Sequence, residues 1–189
     1  MNNNELARSK KIMVIRHAEK PTVSEIGVNF EGKLSTESLI VKGWLRAGAI
    51  IPFFNPAESI LQTSEISVPD VIYACAAETT VESMRSIETV TPLSQRLNLL
   101  VNKDFGKKEV KEMISHVMLQ SGTILICWKH EDIPLIANQI LANLEAPQSW
   151  PAERFDIVWI FDLDLSTGQY AFSQLPQNLL PGDQDTYVK

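Results

Sequence analysis

Three short apolar runs recur along the chain, each passing abruptly into polar sequence. Residues 11–16, 71–75 and 123–128 contain Ile12-Met13-Val14-Ile15, Val71-Ile72-Tyr73-Ala74-Cys75 and Ile124-Leu125-Ile126-Cys127, which are apolar without alternation. That pattern predicts strands buried on both faces, as in a parallel sheet. Between them, apolar residues recur at helical spacing. A helix is expected over 36–54, restarting near Gly43, with Leu45, Ala49, Ile50 and Phe53 facing the core and a loose last turn at Pro52. A short helix running to about Val90 would be opened by Thr79, Thr80 and Glu82, with a third short strand at 96–99. Residues 107–120 place Val110, Met113, Ile114 and Val117 on one helical face. Asp132 or Ile133 opens a last helix, with Pro134 in its first turn.

The β-forming stretch 154–164, the turn Ser166-Thr167-Gly168 and residues 169–175 predict a hairpin at the sheet edge. Strands alternating with helices, then a hairpin, imply an α/β domain of three layers (α/β/α) with a mainly parallel central sheet and a C-terminal hairpin. Residues 20–38, with Pro21, Gly27 and Gly32, lack periodicity and form a long loop, a feature often tied to function. Residues 1–10 and 176–189 are polar and expected to be loosely held.

At 189 residues the chain suits one domain, 1–189, large enough for a core that needs no staples. A net charge of -6 argues against non-specific nucleic-acid binding, although a local basic cluster can still hold an anion. Cys75 and Cys127 both sit in apolar runs, so buried free thiols are expected. No metal-ligand spacing occurs, and neither a metal nor a cofactor is expected. The polar start lacks the apolar core of a signal peptide, and no apolar run reaches the length of a membrane span, so a cytoplasmic location without membrane association is expected.

The chemistry sits past the strand ends, where open α/β sheets carry their reactive groups. The run 12–15 is followed by Arg16-His17-Ala18-Glu19-Lys20, and the run 123–127 leads to Trp128-Lys129-His130-Glu131-Asp132. Arg85 follows the run 71–75 on Ser83-Met84-Arg85-Ser86-Ile87-Glu88-Thr89. An Arg or a His in each of three matching places suits an oxyanion, because a guanidinium grips two oxygens at once and an imidazole can attack or donate. For Arg85, helical spacing equally permits an ion pair with Glu82 or Glu88.

In their order, the strand with Arg16-His17, the segment Gly43-Trp44-Leu45-Arg46-Ala47, the Arg85 segment and the strand ending at His130 resemble the histidine phosphatase superfamily, the phosphoglycerate mutase-like and acid phosphatase-like branch. The resemblance implies a phosphoglycerate mutase-like fold and a metal-independent phosphohydrolase. Its substrate would be a phosphate monoester or a phosphorylated protein side chain. His17 would be the nucleophile, passing through a phosphohistidine, with Arg16, Arg85 and His130 clamping the phosphoryl group. The mutase branch carries its proton donor as a Glu between the second Arg and the second His, yet residues 92–99 contain no acid. The acid phosphatase branch has an Asp directly after the second His, which makes Glu131 the first choice for general acid, with Asp132 beside it. Both also suit a helix N-terminus. Ala18 stands where many members have Gly, and Trp128-Lys129 replace a usual Gly. Glu19, Lys20 and Lys129 are expected at the pocket mouth as substrate-binding residues, although a lone Lys commonly faces solvent. A catalytically weak anion-binding or regulatory module is the alternative on the same fold. The sequence specifies neither the substrate nor an oligomeric state. His116, Trp150 and Trp159 are expected to be packing residues.

Overall fold

The computed structural model describes residues 9–57, 65–77 and 83–189. Among them, the elements run β1 (Ser9–Arg16), β2 (Gly27–Val28), β3 (Leu34–Ser35), α1 (Val41–Phe54), β4 (Val71–Ala74), α2 (Arg85–Leu97), β5 (Val101–Asn102), α3 (Val110–Val117), β6 (Gly122–Trp128), α4 (Ile133–Leu141), β7 (Ile157–Asp164) and β8 (Gln169–Pro176). Six strands form one sheet in the order β5-β4-β6-β1-β7-β8. The first four run parallel, β7 lies antiparallel to β1, and β8 closes the hairpin at the edge.

Parallel neighbours need crossover connections, and the helices supply them. On one face, Ile50 and Phe54 of α1 and Ile87, Val90 and Leu93 of α2 pack against Met13, Ile15, Ile72, Ala74, Leu125 and Cys127. On the other, Val110, Met113, Ile114 and Val117 of α3 join Ile133, Ile136, Ala137 and Ile140 of α4 over Ile12, Val14, Tyr73, Ile124 and Ile126. Successive residues of β1 therefore enter opposite layers, which is why its run does not alternate. The fold class is the expected one. Cys75 and Cys127 are buried and form no disulfide. Trp150 and Trp159 pack with ring centroids 5.1 Å apart, and His116 meets the Tyr73 hydroxyl at 2.8 Å. No helix among the described residues is long and apolar enough to cross a membrane.

Several expectations need correction. Helix α1 begins at Val41, and its buried stripe is Gly43, Arg46, Ala47, Ile50 and Phe54, whereas Leu45 is 60% exposed. A buried Arg at this position is invisible to a pattern that sends charge to solvent. Helix α2 starts at Arg85 and continues through Pro92 to Leu97, because Val90 and Leu93 on either side of the proline are fully buried against the sheet. Its end is set by Asn98, in the left-handed conformation (φ 54°), whose N–H bonds back to Gln95 and Ser94. Residues 96–99 are thus no strand, and the short strand lies at Val101–Asn102 instead. The caps expected from Thr79, Thr80 and Glu82 lie outside the described residues, as do residues 1–8. Ser9 and Lys10 already belong to β1. The long loop contains the small β2–β3 hairpin.

The C-terminal tail, expected to be loose, is tied down. Asp183 accepts from Arg46 through both carboxylate oxygens (2.7 and 3.0 Å) and from the Leu179 and Leu180 amides. Gln177 is buried against Arg46, and Val188 exchanges two hydrogen bonds with the Gln174 side chain. Arg46 also grips Glu19 (2.8 Å), so one guanidinium joins the tail to the segment that follows β1. Both its carboxylate partners are buried, and they hold its pKa above the usual arginine value against the desolvation that would lower it.

Gly43 lies where α1 crosses that same segment. A Cβ there would stand 2.5 Å from the Glu19 carbonyl oxygen, a backbone atom that cannot swing aside. Gly43→Ala is therefore expected to destabilise the fold by about 1–3 kcal/mol in urea unfolding, despite the better helix propensity of Ala. Arg46→Met, which leaves Glu19 and Asp183 buried without their shared cation, should cost about 3–5 kcal/mol in the same measurement.

Candidate active site

Strands β1 and β6 are adjacent and parallel, with Arg16 in register with Trp128. Their carboxyl ends consequently bring the His17 and His130 segments to one edge, and the His17 amide continues the ladder by donating to the Trp128 carbonyl at 3.0 Å. Strand β4 delivers Arg85 to the same edge as the first residue of α2. A cavity of about 300 Å³ opens there, lined by His17, Lys20, Glu37, Ser83, Arg85, Lys107, Lys129, His130 and Glu131.

His17 is 4% exposed, and its Nδ1 lies 2.8 Å from the Ala18 carbonyl. A carbonyl only accepts, so Nδ1 carries the proton and Nε2 is left with its lone pair. Burial pushes the His17 pKa down to about 3; the Ala18 contact opposes this, while Arg16, Arg85 and His130 add to it. The imidazole is neutral at physiological pH. Ala18 is fully buried and donates its amide to Thr89 Oγ1 (2.8 Å), which itself donates to the Arg85 carbonyl, so α2 fixes the His17 backbone.

Arg16 does not line the cavity. It lies behind the wall, 1% exposed, with its guanidinium 3.8 Å over the Phe155 ring. Nη1 donates to the carbonyls of Ala152 and Arg154. Nε and Nη2 are buried and have no acceptor among the described residues. Burial lowers the Arg16 pKa to about 10, opposed mainly by Glu131, so it stays cationic. Arg85 donates Nη2 to the Thr36 carbonyl (2.6 Å) and lies 3.6 Å from Glu37, and its Nε likewise lacks an acceptor among the described residues. Of the two ion pairs that helical spacing permits, the one with Glu88 does not form: the Glu88 carboxylate accepts from the Leu39 amide instead, and Glu82 lies outside the described residues. Buried donors without acceptors are uncommon in folded proteins and call for a partner.

His130 stands 3.0 Å from Glu131 through Nδ1, and its pKa is lowered by burial first and by Arg16 second. Glu131 lines the cavity with a side chain 64% exposed, whereas Asp132 does not line it. Burial and the neighbouring Glu131 raise the Asp132 pKa.

Of the expected mouth residues, Lys20 and Lys129 line the cavity, and Glu19 does not. Its carboxylate is 8% exposed and turns into a second cleft, where it accepts from Arg46 through both oxygens. The charge that suggested a mouth residue serves the tail clasp. Glu37, Ser83 and Lys107 also line the cavity without having been singled out. Glu37 lies in an aperiodic loop that carries no signal. Lys107 follows β5, and placing that strand at 101–102 would have put it past a strand end with the other site residues.

No protein-family model and no curated protein matches the sequence. Solved structures do match. A protein from Escherichia coli assigned as an alpha-ribazole-5′-P phosphatase superposes with a TM-score of 0.57 at 11% identity, over 89% of this chain and 96% of its own. The protein histidine phosphatase SixA, solved with tungstate, gives 0.51 at 10% identity over 88% and 97%. A phosphoglycerate mutase from Plasmodium falciparum gives 0.50 at 14% identity over 94% and 98%. With its mainly parallel sheet, the chain shares the fold of these solved phosphatases and of the mutase.

Proposed function

We propose that this protein is a phosphohydrolase that cleaves a phosphate monoester through a phosphohistidine on His17. The observation that carries this reading is the meeting of His17, Arg85, His130 and Glu131 around one cavity, with the half-satisfied Arg16 guanidinium behind it. Unassisted hydrolysis of such esters is among the slowest reactions known. A neutral imidazole with Nδ1–H held by a carbonyl presents Nε2 as the nucleophile. Attack forms the P–N bond as the P–O bond to the alcohol breaks. The charge on the transferring oxygens falls to Arg85 and His130, which stand on the cavity before the reaction, while the buried Arg16 adds its positive charge from behind them.

Glu131 gives its proton to the departing alkoxide, being the acid of the His130 segment that lines the cavity. As carboxylate it then takes a proton from the water that attacks phosphorus, which breaks the P–N bond and releases phosphate. Glu37 is already engaged with Arg85. Since imidazole supplies the nucleophile and guanidinium the charge, the scheme requires no metal. The fold shared with phosphatases supports the reading.

Hydrolysis of p-nitrophenyl phosphate should be abolished by His17→Ala and should survive a chelator. Glu131→Gln should slow an alkyl phosphate at least ~100-fold and p-nitrophenyl phosphate far less, because a good leaving group needs no proton. Equal losses on the two esters would remove Glu131 from the acid role. Complete inactivity toward p-nitrophenyl phosphate would favour the anion-binding module.

The His17 ring should not titrate between pH 8 and 4.5 in an NMR titration of the ligand-free protein. Its folded pKa lies near 3, below the ordinary 6.5, so over that interval the unfolded chain binds a proton that the native state refuses. The resulting stability is complete above pH 6.5 and is lost as pH falls toward 3. In His17→Ala the acid limb of the stability curve should be shallower by about one proton.

A further inference from the structure

Helix α1 is apolar on nearly every side. Its 14 residues carry charge only at Lys42 and Arg46, and Arg46 is buried. Gly43, Ala47, Ile50 and Phe54 face the core. At 3.6 residues per turn, the side opposite them presents Val41, Leu45, Gly48 and Pro52. A helix that packs on a core by one face ordinarily shows charge on the other. Here the outward stripe is apolar from end to end, with Val41 59% and Leu45 60% exposed, and Gly48 and Pro52 exposed beside them. The sequence pattern sends Leu45 to a core, and the fold of one chain leaves it uncovered.

The stripe extends onto the β2–β3 hairpin. The Trp44 indole donates to the Val28 carbonyl at 2.7 Å, and the Phe30 ring meets it edge-on at 4.9 Å while staying 53% exposed. Together these side chains offer roughly 400–500 Å² of contiguous apolar surface, the size of patch that marks an interaction site.

The relief of the stripe selects its occupant. Gly48 is a dent, where an added Cβ would meet no atom within 4 Å. Leu45 projects one turn before it. A two-fold axis crossing the helix between Arg46 and Ala47 sets Leu45 of one copy over Gly48 of the other and Val41 over Pro52, each contact occurring twice. A symmetric dimer requires such a self-complementary patch. Charge agrees with this occupant. Two chains of net charge -6 repel at a distance, yet the stripe itself holds no ionisable group, and Lys42 on its flank lies 3.8 Å from Glu19. Two copies can therefore meet without burying an unpaired charge. A nucleic acid or a strongly charged protein would find nothing there to pair with.

We infer that α1 is the interface of a homodimer in which two copies of the helix pack antiparallel, Leu45 of each seated on Gly48 of the other. The patch is about half of the ~800 Å² per partner that a standard interface buries, so the dimer is weak, with a dissociation constant on the order of 100 µM. This interface is independent of the chemistry proposed for the cavity.

Sedimentation velocity of the full chain from about 5 µM to about 1 mM brackets that constant. The average mass is expected to rise from one chain toward two. Gly48→Gln fills the dent at a position where the fold has room, and Leu45→Lys charges the projecting side chain. Each should weaken the dimer at least ~10-fold without lowering the urea midpoint of the monomer. Equimolar Leu45→Cys and Gly48→Cys chains, oxidised with copper phenanthroline, should cross-link as the mixed pair in preference to either like pair, since Cys75 and Cys127 are buried. A chain that stays monomeric at the highest concentration, a dimer that survives either Gly48→Gln or Leu45→Lys, or cross-linking without preference for the mixed pair would overturn the inference.

Discussion

Burying a guanidinium at the last residue of the central strand constrains everything near the site. Arg16 is as inaccessible as the apolar residues before it, and removing such a charge from water is costly unless donors and charge are matched. One edge of the fork is matched by carbonyls of the loop before β7 and its face by Phe155. The rest is left with donors but no acceptor among the described residues. An oxyanion has the charge and the lone pairs to complete the set.

That arrangement requires the loop to hold its carbonyls in place, and the surroundings do so with charge. Arg154 pairs with Asp156 at 2.6 Å, and Asp156 also accepts from the Gln184 amide. Asp183, one residue earlier, is clasped by Arg46, which also holds Glu19 two residues after His17. Two ion-pair clusters, joined through the backbone at 183–184, thus tie the tail to the loop behind Arg16 and to the segment carrying His17. The same desolvation that makes such ion pairs demanding also keeps His17 neutral.

Much of the site could be seen in advance. Apolar runs ending in Arg-His and Lys-His locate strand ends, and strand ends are where α/β sheets put chemistry. Lys20, Lys129 and Glu131 could be placed on the cavity by adjacency alone. What misled were charges that fold inward: Glu19 and Arg46 look like surface residues until Asp183, more than 130 positions later, arrives beside them. Proline also misled, since Pro92 sits inside α2 where buried neighbours outweigh one lost backbone bond. Moving the short strand from 96–99 to Val101–Asn102 is what revealed Lys107.

Hydrophobic periodicity determined the layers, the parallel core and the edge hairpin, because burial on one or two faces is a property each segment carries by itself. It also determined which segments end in reactive side chains. Only the tertiary structure decided which of those side chains share a cavity and which carboxylate each cation takes. Ion pairing and desolvation depend on distances between residues remote in the chain, and no local pattern encodes them.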